Sequence, residues 1–423
     1  MRLRVLISGA GIAGPVLAHW LARNGATPTI VERRAGPMRT GGHAVDIAGV
    51  SSEVIQRMGL WDKVQDARVQ RGRMTFRRRR GRPLTMSRLS DRIADDHVEI
   101  QRDALINILQ DETYDDVEYL FGDEVTALRD HTTGPGIRPG NDSSDPQACR
   151  GVLVSFQHGA DRVFDLVVGA DGLHSGVRRL TFGPEERFRH DLGAFLAVFT
   201  HPNSARLDPD TVVGYAERDR ASFAYSVDDG TDARALMIFR DPEAPSIPHR
   251  DTARQVEFVQ DAYRDVDPAL LPFPLAAAAT ADDFYFDPIS QIRMNTWSHG
   301  RVTLIGDAAY SPGPAVGGGT ALAIVGAYVL ANELALADGY HVSAFANTER
   351  VMGPSIRQSR KVGPSTLQQL VPQSAAAAWA MPRVLRLFTK LPPKAVIALF
   401  SLQGADTTRL DDLTSQNPEY AIA

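Results

Sequence analysis

One stretch late in the chain, Arg301–Thr320 (RVTLIGDAAYSPGPAVGGGT), constrains the fold more than any other. It reads as a strand at Val302–Ile305, a turn at Gly306–Asp307, a Gly/Pro-rich loop, and a long apolar helix from about Thr320. The chain also opens on a glycine-rich turn, Gly9-Ala10-Gly11-Ile12-Ala13-Gly14, placed between a strand and a helix. Two such turns at opposite ends of a chain are expected to close on one extended ligand. Everything between them must then be arranged around it.

The first turn has the local context that gives it meaning. Residues 3–8, LRVLIS, form a continuous apolar run, the pattern of a buried parallel strand. Pro15–Arg23 follows at helical period, and Asn24-Gly25 closes it. A second strand, Thr29–Val31, ends in Glu32. Strand, glycine turn, helix, strand and terminal acid make a dinucleotide-binding βαβ unit. Gly9 permits the tight turn, Gly11 lets backbone approach a pyrophosphate, and Gly14 lets the helix pack close to the strand. The helix N-terminus offers free N–H groups to phosphate, and Glu32 is placed to accept from ribose hydroxyls. A purely structural glycine turn fits this context less well.

Composition narrows the class. The 423 residues are 43% hydrophobic and 23% charged, which suits two globular domains or one with a large insertion. A net charge of −5 gives no global attraction to nucleic acid. A lone Cys149 builds neither a disulfide framework nor a thiolate metal cluster. No secretory pattern is visible, and no stretch reads as a membrane span of roughly 20 apolar residues. The longest candidate, Ala395–Leu402, is too short, so a cytoplasmic protein is expected.

Between the two turns the chain changes character. Arg39-Thr40-Gly41-Gly42-His43-Ala44-Val45-Asp46-Ile47 suggests backbone packed against a flat ligand, and a helix is expected over Ser52–Met58. Residues 71–88 hold the consecutive Arg77–Arg80 and read as a hairpin with a solvated tip near Gly81. No aromatics interleave these arginines as a nucleic-acid surface would require. Val98–Gln110 reads as a short strand with Arg102 at a helix start, and Asp130–Arg150 as an exposed loop between strands. The strand Val163–Val168 runs into Gly169-Ala170-Asp171-Gly172-Leu173-His174-Ser175-Gly176-Val177-Arg178-Arg179. Short alternating runs over 181–286, with a polar helix at Asp251–Tyr263, read as an inserted antiparallel α+β unit. Asp282–Asp283 reads as a solvated turn. Prolines at 354, 364, 372, 382, 392 and 393 punctuate the tail, where Ala375–Leu391 reads as a helix.

Three motifs thus occur in order: GAGIAG with Glu32, GADGLHSGVRR, and GDAAYSPGPAVGGG. Together they resemble the class A, para-hydroxybenzoate-hydroxylase-like FAD monooxygenases. GGHAVDI and EIQRDALINIL look most like the tetracycline-inactivating and antibiotic-tailoring members. The resemblance implies that Gly9, Gly11, Ile12, Ala13 and Gly14 hold the ADP moiety of FAD, with Glu32 on the ribose and Arg33 near the adenine. It implies Arg102 at the ribityl–phosphate region, backbone of Val125 at the adenine, and Gly306 and Asp307 at the ribityl hydroxyls. Pro314, Gly317, Gly318 and Gly319 would meet the isoalloxazine. Asp171 would serve both FAD and NAD(P)H, while Asp46 and Arg39 resemble positions near flavin and nicotinamide cofactor. Tyr310 stands where many relatives carry His, and Thr320-Ala321 where many carry Asn. The amides of the glycine loop and the following helix N-terminus would favour negative charge on reduced flavin by roughly 0.3–2 kcal/mol.

The expected architecture is an α/β, Rossmann-like FAD domain (1–72, 97–180 and 287–370), interrupted by a substrate domain (73–96 and 181–286), with a C-terminal helical segment (371–423). The expected activity is insertion of one oxygen atom from O2 into a hydrophobic, ring-containing small molecule. The resemblance implies NAD(P)H as the reductant, and because no second GxGxxG is present it is expected to bind transiently beside the flavin. Natural-product tailoring or antibiotic modification is the expected context. The flavin supplies the chemistry, so no catalytic acid or base is assigned. The alternative is a flavoprotein on the same scaffold that uses FAD without redox change, as a cyclase or isomerase.

Overall fold

The computed structural model describes residues 3–36, 43–69, 72–87, 97–132, 150–227, 230–242, 247–248, 251–314 and 318–389. Arg39, Gly317 and the Ala395–Leu402 run lie outside them.

Apolar runs without alternation build the first sheet. Its strand order is Ser298–His299, Val302–Leu304, Leu166–Gly169, Arg4–Ser8, Thr27–Glu32 and Glu118–Phe121. All neighbours in it are parallel except the short Ser298–His299 edge. Helix Ala13–Arg23 lies on this sheet, and helix Gly319–Leu336 packs against it and against the helices Val50–Arg57 and His341–Leu370. Gly319–Leu336 is apolar around its whole circumference, with residues from Leu322 to Leu334 buried. By length and composition this helix could cross a membrane, which the sequence reading overlooked. With 72% of it buried inside the protein, its burial here is that of a central core helix.

The alternating runs build a second, seven-stranded sheet, ordered Tyr285–Ile292, Arg189–Pro202, Asp232–Arg240, Arg220–Val227, Thr211–Glu217, Arg73–Phe76 and Leu84–Ser87. Alternation sorts its side chains. Phe199, Tyr215, Ala224, Ala235, Met237 and Phe239 face helix Thr252–Ala262, which covers them with Val256, Val259 and Tyr263. Leu196, Val198, Ala221 and Ile238 face the other way, and part of that face is closed by Leu367 and Val371.

Tyr285–Ile292 is a strand that contains Pro288. It is an edge strand, where a missing N–H is tolerated, and its register with Arg189–Pro202 breaks between Asp191 and Phe195. Three local readings are corrected. Pro354 and Pro364 do not end the helix that begins at His341, which runs to Leu370 because Val351, Met352, Ile356 and Leu367 bury its inner side. The hairpin Arg73–Phe76/Leu84–Ser87 forms, but its arginines are not all solvated: Arg77 donates to the Leu271 carbonyl at 2.6 Å, while Arg79 stays exposed and pairs with Glu217 at 2.8 Å. Asp283 is a structural acceptor rather than a solvated turn residue, taking the Thr200 N–H at 2.8 Å and its hydroxyl at 2.6 Å.

Candidate functional site

Parallel strands end their C-termini at one edge, and loops leaving that edge converge there. Here Arg4–Ser8 delivers Gly9, Leu166–Gly169 delivers Asp171, Val302–Leu304 delivers Gly306 and Asp307, and Thr27–Glu32 delivers Glu32. Backbone bonds lock these loops together: Gly9 N–H to Val31 O at 2.8 Å, Ala170 N–H to Ser8 O at 2.8 Å, and Ile305 N–H to Gly169 O at 2.9 Å. The contacts are close enough to require glycine. A Cβ on Gly9, at φ +108°, would meet Ala170 O at 2.5 Å, and one on Gly14 would meet Gly9 O at 2.0 Å. At Gly11 a Cβ would meet nothing within 4 Å, so its backbone borders open space.

Two helix N-termini at this edge are left without side-chain caps. Ile12 and Gly318 precede Ala13–Arg23 and Gly319–Leu336, and neither supplies a capping hydrogen bond. Uncapped N–H groups beside an open glycine turn are what a pyrophosphate requires. Gly318 adopts the left-handed conformation (φ +83°) that starts the core helix. A Cβ on Gly306 would touch Ala13 at 3.4 Å, and one on Gly319 would lie 3.7 Å from Asp307 Oδ1, so the first and last motifs are adjacent.

The acids behave differently from one another. Glu32 accepts from Ala10 N–H at 2.8 Å and from the N–H and side chain of Arg34 at 3.0 and 3.1 Å. Burial opposes its charge, but the Arg34 guanidinium and these bonds outweigh it and hold its pKa below the ordinary value. Arg34, not the exposed Arg33, thus partners Glu32. Asp307 has its pKa raised by burial, which the Arg102 charge and a Ser311 hydrogen bond oppose without cancelling. A carboxylate in that condition gains from hydroxyl donors such as a ribityl chain. Asp171 is also pushed up by burial, yet its oxygens already take the Ser175 hydroxyl at 2.5 Å and the Val177 N–H at 3.0 Å. It braces the start of helix Gly176–Phe182.

Arg178, fully buried, braces that loop further by donating to Ala308 O at 2.8 Å, Leu173 O at 2.6 Å and Glu185 at 2.9 Å. Val125 is buried in a strand pair with Phe156. Asp46 lies on Ala44–Ile47, mostly exposed and 2.9 Å from His97 Nε2. Pro314 is half-buried in the turn before the loop. Tyr310, where many relatives carry His, is a core residue stacked edgewise on Trp297 at 4.9 Å.

Several residues around the site were not legible in the sequence. On that second face of the sheet, Phe223 pairs with Leu236 and Val198 with Tyr285, and Phe223, Leu236 and Tyr285 are partly buried. On the same face Tyr225 accepts the Ala44 N–H at 3.3 Å, tying it to the segment that follows Gly42. Arg234, 2% exposed, lies beside Asp103 and Asp283 at 3.8 Å each. Burial, together with the charges of Arg102 and Arg234, pushes His43 down to about 4 and keeps it neutral. The available signal was strand alternation, which assigns these residues to one face without saying what that face meets.

This fold and site have known relatives. The FAD-binding domain family model matches residues 2–339, and the chain belongs to that family. Within it the protein is a class A FAD-dependent monooxygenase, an oxidoreductase whose cofactor is FAD. It is 40% identical over 347 residues to an uncharacterized protein of Mycobacterium tuberculosis (strain ATCC 25618 / H37Rv), covering 81% of this chain and 88% of that one. It is 33% identical over 365 residues to a flavin-dependent monooxygenase of Legionella longbeachae serogroup 1 (strain NSW150), covering 85% and 88%. Among solved structures, tetracycline destructase Tet(55) superposes with a TM-score of 0.76 at 31% identity, over 93% of this chain and 98% of that one. Klebsiella pneumoniae HpxO complexed with FAD and uric acid shares the fold, with a TM-score of 0.68 at 19% identity over 95% and 97%.

The residues present fit FAD. The open backbone at Gly11, the two uncapped helix N-termini and the raised Asp307 carboxyl supply anion and hydroxyl recognition in the places an extended dinucleotide needs them.

Proposed function

We propose that the protein is an NAD(P)H-consuming monooxygenase that inserts one oxygen atom into a hydrophobic, ring-containing small molecule. Bound FAD supplies the oxygen chemistry. The chain's own part is binding, orientation and exclusion of water. Gly9, Gly11 and Gly14 with the Ala13–Arg23 helix hold the pyrophosphate, Glu32 the ribose, and Asp307 with Arg102 the ribityl chain. Gly318 and Gly319 present helix N–H groups to the flavin ring. The single observation that carries the substrate half is the partly buried apolar strip Phe223–Leu236–Tyr285, on the sheet face that also carries Tyr225 and its bond to Ala44. That strip reads as the wall of a substrate domain formed by 73–96 and 181–286.

The similarity to a tetracycline destructase supports a polycyclic or otherwise ring-rich substrate. The test is a compound screen on the FAD-loaded protein, reading substrate-stimulated NAD(P)H oxidation and product mass. Stimulated oxidation with a product heavier by one oxygen atom is expected. Turnover to an isomer without NAD(P)H oxidation would establish the cyclase or isomerase reading instead.

A further inference from the structure

A cavity of about 470 Å³ has a lining that includes Arg187, Phe188, His190, Arg293, Asn295 and Arg360. Three guanidinium groups share it, and no carboxylate is in its lining. Arginines that meet in a folded protein normally bring acids with them. Here, among the described residues, none of the three has an ion-pair partner. Each is held by neutral acceptors instead: Arg187 by Phe182 O at 3.2 Å, Arg293 by Gln291 Oε1 at 2.8 and 3.1 Å, and Arg360 by Ile292 O at 2.6 Å. Arg360 Nε is buried with no acceptor at all. Nearby carboxylates are committed elsewhere, Glu185 to His174, Arg178 and Arg189, and Asp191 to Arg189 and Ser290.

We propose that Arg187, Arg293 and Arg360 form a binding site for a phosphate monoester or pyrophosphate group. Burial and the neighbouring Arg293 charge together depress Arg360 to about 10, the direction expected when like charges meet with no anion between them. Arg293 and Arg360 are already held by Gln291 and the Ile292 carbonyl, which lowers the ordering cost of a ligand, and guanidinium groups carry the donors that phosphate oxygens match. A cavity of this size admits more than a bare ion.

Its location suggests the source of the phosphate. Gln291 Nε2 donates both to Pro312 O at 3.2 Å and to Arg360 O at 2.8 Å, and Ser359 Oγ stands 2.9 Å from where a Cβ on Gly318 would lie. The cavity therefore backs onto the loop that leads into the core helix. A pyridine nucleotide serving the flavin carries phosphates of this class, and that identification of the ligand rests on the reductant proposed above.

The test has two arms, both on FAD-loaded protein with FAD retention monitored. In the first, inorganic pyrophosphate and 2′,5′-ADP are titrated calorimetrically into the wild type, Arg187→Ala and Arg293→Ala; both side chains are exposed, so folding should survive. Binding to the wild type that weakens about tenfold or more in each variant is expected. No binding, or binding that the variants leave unchanged, overturns the site. In the second, FAD reduction by NADPH and NADH is followed anaerobically. A rise of about tenfold in the nucleotide concentration for half-maximal reduction assigns the phosphate to the nucleotide. Lost pyrophosphate binding with unmoved nucleotide dependence overturns that assignment and leaves a site for free phosphate. A wild-type flavin that neither nucleotide reduces overturns the reductant in the proposed function, and the first arm alone then decides the site.

Discussion

His174 Nε2 lies 2.7 Å from Asp287 Oδ1, across 113 residues of chain, and joins the loop after strand Leu166–Gly169 to the strand that returns from the second sheet. The other ring nitrogen meets Glu185 at 3.0 Å, and Asp287 takes the Tyr285 hydroxyl at 2.6 Å. A polar relay thus crosses from Arg178, through Glu185, His174 and Asp287, to the open sheet face.

That relay makes stability depend on pH. Burial works against a charged His174, but bonds and charges from Asp287 and Glu185 override it and raise its pKa from 6.5 to about 9. A histidine raised on folding contributes most below its unfolded pKa and loses the contribution as pH climbs through the folded one. Unfolding free energy should therefore fall between pH 6.5 and 9, by at most about 3 kcal/mol for this group. Denaturant titrations of His174→Gln should show lower stability at pH 6 and a flatter profile over that window. A wild-type profile already flat from pH 6.5 to 9 would contradict the pairing.

The fingerprint glycines separate packing from ligand contact. Gly14→Ala places a methyl carbon 2.0 Å from Gly9 O, which backbone cannot yield, so thermal stability should drop sharply with FAD present or absent. Gly11→Ala meets nothing within 4 Å and should leave the FAD-free melting temperature nearly unchanged. Its methyl occupies the space a pyrophosphate needs, so FAD affinity should fall at least tenfold. Equal FAD affinity in Gly11→Ala and wild type would move the cofactor away from this turn.

Asp307 should show a trade of stability for binding. Its carboxyl is pushed up by burial despite Arg102, so at neutral pH the ionised group is a cost to the FAD-free protein. Asp307→Asn should raise the melting temperature without FAD. It should also weaken FAD by roughly 10- to 150-fold, the worth of charge-assisted bonds of about 1.5–3 kcal/mol. Flavin fluorescence titration and calorimetry measure the two effects; wild-type affinity in the variant would exclude a ribityl contact.

What could be read in the sequence follows from how local each signal is. The glycine turn, Glu32 and the GD turn are short patterns whose meaning is set within one βαβ unit or one strand–turn–helix, and these elements stand where they were expected. Long-range closure left no such trace. Nothing near Arg178 in sequence announces Ala308 as its acceptor, and nothing near Asp283 announces Thr200. Pro354 and Pro364 misled for the same reason, since a packed helix side tolerates what local propensity forbids. Adjacency in sequence likewise does not say which of Arg33 and Arg34 folds back on Glu32; in the structure it is Arg34.

The apolar strip on the second sheet gives the last prediction. Leu196, Val198, Ala221 and Ile238 on that face are closed by packing that includes Leu367 and Val371 from the long C-terminal helix. Phe223, Leu236 and Tyr285 on the same face are only partly buried, with Tyr225 holding its edge to Ala44. A partly uncovered apolar surface is suited to take a hydrophobic ring and to shed water from around it. Enlarging one of these side chains should fill the space without disturbing the cofactor loops. Leu236→Trp is expected to keep wild-type FAD content and to lose at least tenfold in substrate-stimulated NAD(P)H oxidation, mainly through a raised KM. Leu236→Met, close in volume, should retain most of the activity. Crystals with substrate bound decide the point: contact with Phe223, Leu236 or Tyr285 is expected. A substrate ring more than about 10 Å from the flavin, touching none of 181–286, would place the reaction elsewhere, since transfer needs reacting atoms about 3–3.5 Å apart.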